Sequence, residues 1–348
     1  MRRSTNPTAI SKFSLMVFGL LLLFSLDTAY ALDTSTNNTL TPENIKRVLN
    51  EAHNKYKDNK EGKNADYIKA LADVDPNLFG ISIVTVDGKI YDVGDTKSEF
   101  SIQSISKVFT AAKAMQQHGA KALQEKVGAS ATGMPFNSII AIEQQPARAA
   151  NPFVNAGAIA STSLIDAKDG KQRWDIIKTN MDEFAGRKLE FNEVVYQSEV
   201  NDNKRNQAIS KLLDAYGRMY ADPLETTTIY TKQCSVNVSA HDLAVMGSTL
   251  ANHGVNPVSK KKVIDPQYPK HVLALMATAG LYDGAGDWLY NTGTPAKSGV
   301  GGGIVAVVPG KLAIGVFAPP LDSIGNSVKG QLAAAYIISE LGLNPYNQ

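Results

Sequence analysis

Cysteine is nearly absent from this chain: Cys234 is the only one in 348 residues. No internal disulfide can brace the fold, so an apolar core must hold it. Histidine is scarce as well, and the five present show no H-E-x-x-H or similar spacing, which leaves no metal site to expect. Neither sign of charge dominates, since 35 Lys and Arg face 33 Asp and Glu for a net +2. That balance provides no electrostatic footprint for nucleic acid. Long apolar runs are missing too. The uncharged stretch Phe13 to Leu26 is short for a membrane span. It follows Arg2, Arg3 and Lys12 and precedes Ala29-Tyr30-Ala31, the pattern of a secretory signal peptide over residues 1–31, cleaved near Ala31. Its removal takes away three bases and Asp27, which brings the formal charge to about zero. The mature chain is then expected in the periplasm or outside the cell, free of the membrane. In that setting Cys234 reads as a small buried residue, not as a nucleophile paired with His241.

What is present is ordinary globular composition, 43% hydrophobic and 20% charged. After a polar linker over 32–41, one domain is expected over 42–348. Thr41-Pro42-Glu43 offers an N-cap, a proline at N1 and an early acid, with Ile45, Val48, Leu49 and Ala52 following at helical spacing. Residues 79–86, Asp87-Gly88 and 89–91 read as a β-hairpin. Residues 304–308, Pro309-Gly310 and 312–317 read as another. Between them the periodicity predicts helices over 104–118, 155–166, 173–185, 203–220, 239–253 and 268–280, and a last one over 328–341. Isolated hairpins are unstable, so the two are expected to share one antiparallel sheet covered by the terminal helices. The expected fold is α/β: a sheet part from about 42–103 and 295–348, and a helical part from about 104–294, with a cleft between them. No internal repeat or low-complexity block stands out.

The chemistry gathers at Phe100-Ser-Ile-Gln103-Ser104-Ile-Ser-Lys107, a Ser-x-x-Lys at the start of a predicted helix. Three residues apart on a helix, Ser104 and Lys107 share a face. A serine hydroxyl needs a base to become a nucleophile, and a lysine in a dry pocket can be neutral near pH 7. Alone, such a pair is far more often a solvated surface pair. A second element, Lys297-Ser298-Gly299, resembles the Lys-Thr-Gly that accompanies S-x-x-K in class A β-lactamases and penicillin-binding proteins. Ser235-Val236-Asn237 matches their bare Ser-x-Asn, and the glycines of Gly299-Val300-Gly301-Gly302-Gly303 would by themselves suit a flexible loop or a phosphate cradle.

Six blocks carry a narrower resemblance. They are Phe100 to Lys107, Asn151 to Ile159, Tyr196-Gln-Ser-Glu199, Tyr230-Thr-Lys-Gln-Cys-Ser235, Gly280-Leu-Tyr-Asp-Gly284 and Lys297 to Gly303, with Asp66-Tyr67-Ile68 ahead of the first hairpin. In this order, over about 43–345, the chain resembles the serine-dependent glutaminase family, in its bacterial form with a signal peptide. The resemblance implies a serine β-lactamase-like fold and hydrolysis of L-glutamine to L-glutamate and ammonia through a γ-glutamyl-serine intermediate. It implies Ser104 as nucleophile and substrate contact, Lys107 as base, and Tyr67 and Tyr282 as residues that relay or orient protons, Tyr282 also touching substrate. The backbone N–H groups of Ser104 and Val300 would receive the oxyanion. Glu199 would meet the substrate ammonium, and Asn155, Asn206 and Tyr230 would hold its carboxylate and amide; Gln103 would line the pocket, and Lys297 and Ser298 would either tune the dyad or merely bound a strand. No cofactor is implied, and the family assembles as homodimers or homotetramers. Two other readings stay open: an acyl-serine hydrolase of β-lactams or peptidoglycan peptides, and a non-catalytic glutamine or glutamate binder on the same scaffold.

Overall fold

Residues 40–144 and 148–347 are described by a computed structural model. The expected signal peptide, its cleavage site and residues 32–39 of the linker lie outside them. Seven strands form: β1 (Gly80–Thr85), β2 (Ile90–Gly94), β3 (Phe100–Ser101), β4 (Asn237–Val238), β5 (Ala296–Gly299), β6 (Gly303–Val308) and β7 (Leu312–Phe317). Five of them make an antiparallel sheet in the order β2-β1-β7-β6-β5. The two hairpins expected from sequence are there, turning at Gly88 (φ +89°) and Gly310 (φ +71°), conformations glycine adopts without steric penalty. They join through β1 and β7, from Gly80 opposite Phe317 to Thr85 opposite Leu312.

Alternation along β6 and β7 assigns their side chains to two cores. Ala306, Val308, Leu312, Ile314 and Val316 pack with the terminal helices Pro42–Tyr56 and Val328–Glu340. Thr41 caps the first of these as predicted, accepting from the Asn44 N–H at 3.2 Å. Val305, Val307, Ala313 and Phe317 face the other way, into the core of the helical part. On that face lies the helix Ala240–Ala251. A Cβ on its Gly247 would sit 2.6 Å from Val305 Cγ2. The segment 239–253 was expected within the helical part; its helix instead covers the second face of the sheet, because small residues on both sides permit close contact.

Helix Ser106–His118 runs through the centre of the helical part against Asn155–Ser163, Gly170–Ala185 and Pro269–Ala279. All of Asn155–Ser163 is buried; its Ala, Gly and Ser residues allow that density. The helix predicted over 203–220 is Lys204–Ala215, and Gly217 at φ +67° closes the chain after it. Helix Pro223–Cys234 was missed. Its threonines are poor helix formers, but Thr227 and Thr231 donate back to Pro223 O and Thr227 O, and Asp222 caps its first turn at Glu225 N. Strand β5 and the β3–β4 pair also went unpredicted. Both matter for function, since β3 leads directly into the Ser104 turn and β5 packs against it.

Candidate active site

Ser104 lies in a 3₁₀ turn, Gln103–Ile105, that continues into helix Ser106–His118 and brings Lys107 into its first turn. Both side chains are buried. The turn departs from helical backbone at Gln103, where φ is +51°, a left-handed conformation costly for a residue with a Cβ. Ser106 Oγ holds it by donating to Gln103 O at 2.7 Å. Behind Ser106, Gln233 accepts from Thr110 at 2.9 Å and Thr162 at 3.3 Å, and its Nε2 approaches Ser106 Oγ at 3.5 Å. This buried polar tier was invisible to sequence reasoning, since its members lie on three helices.

The Lys107 ammonium has no carboxylate partner among its described contacts. It donates to Asn155 Oδ1 at 2.7 Å and to Phe153 O at 3.4 Å, and faces the Tyr230 ring at 5.7 Å. Burial without a counter-charge pulls its pKa down to about 8. Asn155 Oδ1 also accepts from the Tyr230 hydroxyl at 3.0 Å, while its amide donates to Asn206 Oδ1 at 3.0 Å. Four of the residues singled out by resemblance thus form one continuous network.

Glu199 Oε1 accepts from Gln103 Nε2 at 2.7 Å. Its carboxyl lies deep among protein atoms, although the residue retains some solvent access, and desolvation pushes its pKa up to about 7. With Tyr67, Asn203 and Asn206 it lines a cavity of about 100 Å³. Tyr67 also lines the adjoining opening of about 620 Å³, shared with Phe136, Val300 and Gly325. Although Tyr67 is 55% exposed, its hydroxyl is close enough to Tyr282 and Glu199 for both, after burial, to favour the neutral phenol.

Tyr282 is buried at φ +53°, the second left-handed backbone in the site. Its hydroxyl neighbours those of Ser104 and Ser298 but completes no hydrogen bond within normal geometric limits. Burial pushes it up to about 12, so the phenol stays protonated at neutral pH. The amine over the Tyr282 ring, at 4.4 Å, is that of Lys297. Lys297 Nζ donates to Ser298 O at 2.6 Å and is itself held well below the ordinary lysine range by burial, with Lys107 adding repulsion.

The glycine run serves close approach, not flexibility. A Cβ at Gly299 would lie 2.7 Å from Ile102 O, and one at Gly301 would collide with Ser101 O. Val300 is thereby brought beside the Ser104 turn. Gly301→Ala should displace that turn and lower turnover at saturating substrate roughly tenfold or more. The Ser-x-Asn match carries no chemistry here: Ser235 donates to Thr231 O and Asn237 pairs with Asn192 and Glu99. Cys234 is buried, its thiol pushed up to about 12, while His241 bonds Asp92 at 3.0 Å. No group of three or more His, Cys, Asp or Glu among the described residues is arranged to hold a metal.

Comparison with known proteins identifies the family. Residues 62–346 match the glutaminase family model. The chain is 52% identical to a glutaminase of Colwellia psychrerythraea over 300 residues, 86% of this chain and 96% of that protein. It is 47% identical to glutaminase 2 of Yersinia pestis over 312 residues, 90% and 92% of the two. Among solved structures, the probable glutaminase ybaS superposes with a TM-score of 0.88 at 44% identity, covering 89% of this chain and all of that one.

Proposed function

From the premise that the chain belongs to the glutaminase family, with its β-lactamase-like fold, we propose that it hydrolyses L-glutamine to L-glutamate and ammonia by acyl transfer through Ser104. The observation that carries the mechanism is the buried, carboxylate-free Lys107 one helical step from Ser104 and bonded to Asn155. Neutral Lys107 takes the Ser104 proton as the hydroxyl oxygen attacks the side-chain amide carbon. The tetrahedral oxyanion is received by the N–H groups of Ser104 and Val300. Collapse breaks the C–N bond, the leaving nitrogen takes the proton from Lys107, and ammonia departs from a γ-glutamyl ester. Water then gives a proton to Lys107 and its oxygen to the ester carbon, and Ser104 regains its proton. Glu199 pairs with the substrate ammonium; Asn155, Asn206 and Tyr230 supply neutral hydrogen bonds to the carboxylate and amide. Tyr67 and Tyr282 orient or relay protons as neutral phenols.

The test compares ammonia release from glutamine and asparagine with hydrolysis of a chromogenic β-lactam, and looks by mass spectrometry for a γ-glutamyl adduct on the Ser104 peptide after acid quench. Turnover of glutamine with the adduct on Ser104 is expected. An adduct on another residue would refute the mechanism; β-lactam turnover without glutamine turnover, or binding without turnover, would favour the two readings left open by the sequence.

Export is proposed on the strength of residues 1–31, and a homodimer or homotetramer on family likeness. Fractionation of the producing cell and sedimentation of the mature chain test each. No helix among the described residues is long and apolar enough to cross a membrane.

A further inference from the structure

Beside the catalytic turn lies a side chain that none of the sequence blocks contains. Asn326, 1% exposed, accepts from the Ser298 hydroxyl through Oδ1 at 2.6 Å and donates through Nδ2 to Leu281 O at 3.3 Å. Its own N–H is anchored on Asp322 Oδ1 at 3.0 Å, within a turn in which Asp322 also receives the Ile324 and Gly325 N–H groups. These contacts leave the amide one orientation. Leu281 O can only accept, so the NH₂ group must face it; Oδ1 must then face Ser298, and Ser298 must be the donor. Once Ser298 has committed its proton to Asn326, its oxygen has only lone pairs to offer the neighbouring Tyr282 hydroxyl. The ring is packed by Phe136 at 4.9 Å and by Lys297 at 4.4 Å, but neither contact sets the direction of the hydroxyl proton.

We propose that Asn326 is a positioning residue that fixes the hydrogen-bond polarity of Ser298 and the backbone leading into Tyr282, so that Ser298 faces the Tyr282 hydroxyl only as an acceptor. This assignment rests on the proposed roles of Ser104 and Tyr282, and it separates the work of the two partners of Ser104. The path Tyr282 to Ser298 to Asn326 ends in an amide oxygen, which is too weak a base to hold a proton. Tyr282 therefore finds no outlet for its own proton through Ser298, and removal of the Ser104 proton falls to Lys107. It also gives the left-handed backbone at Tyr282 a purpose, because Leu281 O is tied to the same side chain that orients Ser298.

The experiment is a double-mutant cycle on the full mature chain with Asn326→Ala, Ser298→Ala and the double variant, plus Asn326→Asp, following kcat and KM for glutamine. Asn326→Ala and Ser298→Ala should each lower kcat roughly tenfold to a hundredfold with KM changed less than about threefold, since the contacts to the amino-acid head are untouched. The double variant should be no slower than the slower single one, because both changes cut the same path. Asn326→Asp keeps an acceptor for Ser298 and should recover part of the loss. Wild-type kcat in folded Asn326→Ala, multiplying losses in the double variant, or a loss carried by KM alone would each overturn the proposal. Should Asn326→Ala melt before assay temperature, Ser298→Ala decides: wild-type kcat there overturns it. Ser104→Ala in the same assay separates the premises, since activity surviving that change would sink the acyl-serine reading whatever Asn326 does.

Discussion

Ammonia release from glutamine should fall by about 10³- to 10⁴-fold in Ser104→Ala, and by a comparable factor in Lys107→Met, because the two act as a unit. The double variant should be hardly worse than either single one. Lys107 can serve as base because burial favours its neutral form, bringing its pKa down to about 8, and because its resting partners are the neutral Asn155 Oδ1 and Phe153 O instead of a carboxylate that would hold the ammonium charged. The neutral fraction grows as pH rises through 8, so kcat/KM of the wild type should climb on that limb. Residual turnover in Lys107→Met should lose it. A stability measurement supplies an independent check. In the unfolded chain this lysine returns to a pKa near 10.4, above its folded value, so folding disfavours its charged form. The resulting penalty is complete below about pH 8, fades as pH rises from there toward the unfolded value and is gone above it. Lys107→Met should therefore melt higher than wild type at pH 7 while being nearly inactive, and the gain should shrink toward pH 10.5. A lower melting temperature at pH 7 would mean that the ammonium is stabilised where it lies.

This trade of stability for chemistry bears on what the sequence revealed. The dyad was legible because helical spacing alone brings residues 104 and 107 together, and the hairpins because Asp87-Gly88 and Pro309-Gly310 punctuate apolar runs. The pairing of β1 with β7 followed from the instability of lone hairpins. Strands of two residues, β3 and β4, have no period to read, and the small residues of β5 lack the β-branched signature. The left-handed backbones at Gln103 and Tyr282 could not be foreseen, since local preference points away from both; surrounding contacts impose them. Asn326 and Gln233 were missed for a related reason. A buried amide earns its place through partners on other elements, and a single chain carries no local mark of that. Asn155 and Asn206 escaped the same fate only through the resemblance, without which each reads as a cap or turn residue.

Glu199→Gln should raise KM for glutamine by about 10²-fold or more, with a smaller effect on kcat, because it removes the charge proposed to meet the substrate ammonium while leaving the Ser104 turn in place. One truncated partner of a desolvated, hydrogen-bonded ion pair costs on the order of 2–5 kcal/mol, and RT ln 10 is about 1.4 kcal/mol. Glutamine keeps an acceptor for Gln103 Nε2, so the 2.7 Å contact to the turn survives. The pH dependence follows from desolvation, which lifts the carboxyl to about 7 in the unliganded site. Below that value Glu199 is protonated, and wild-type KM should rise as pH falls from 8 to 6; in Glu199→Gln the rise should be absent over that interval. Stability should move oppositely. The folded pKa lies above the unfolded value near 4.3, so ionisation is disfavoured by folding. The penalty is nearly absent at pH 4, grows as pH rises from the unfolded value toward the folded one and is complete by about pH 8. Glu199→Gln should accordingly melt above wild type at pH 8 and level with it at pH 4. A KM that is raised equally at pH 6 and pH 8 by this substitution, with no gain in melting temperature at pH 8, would assign Glu199 to packing and move the ammonium contact to another acid at the mouth of the site, where Asp202 lines the same cavity.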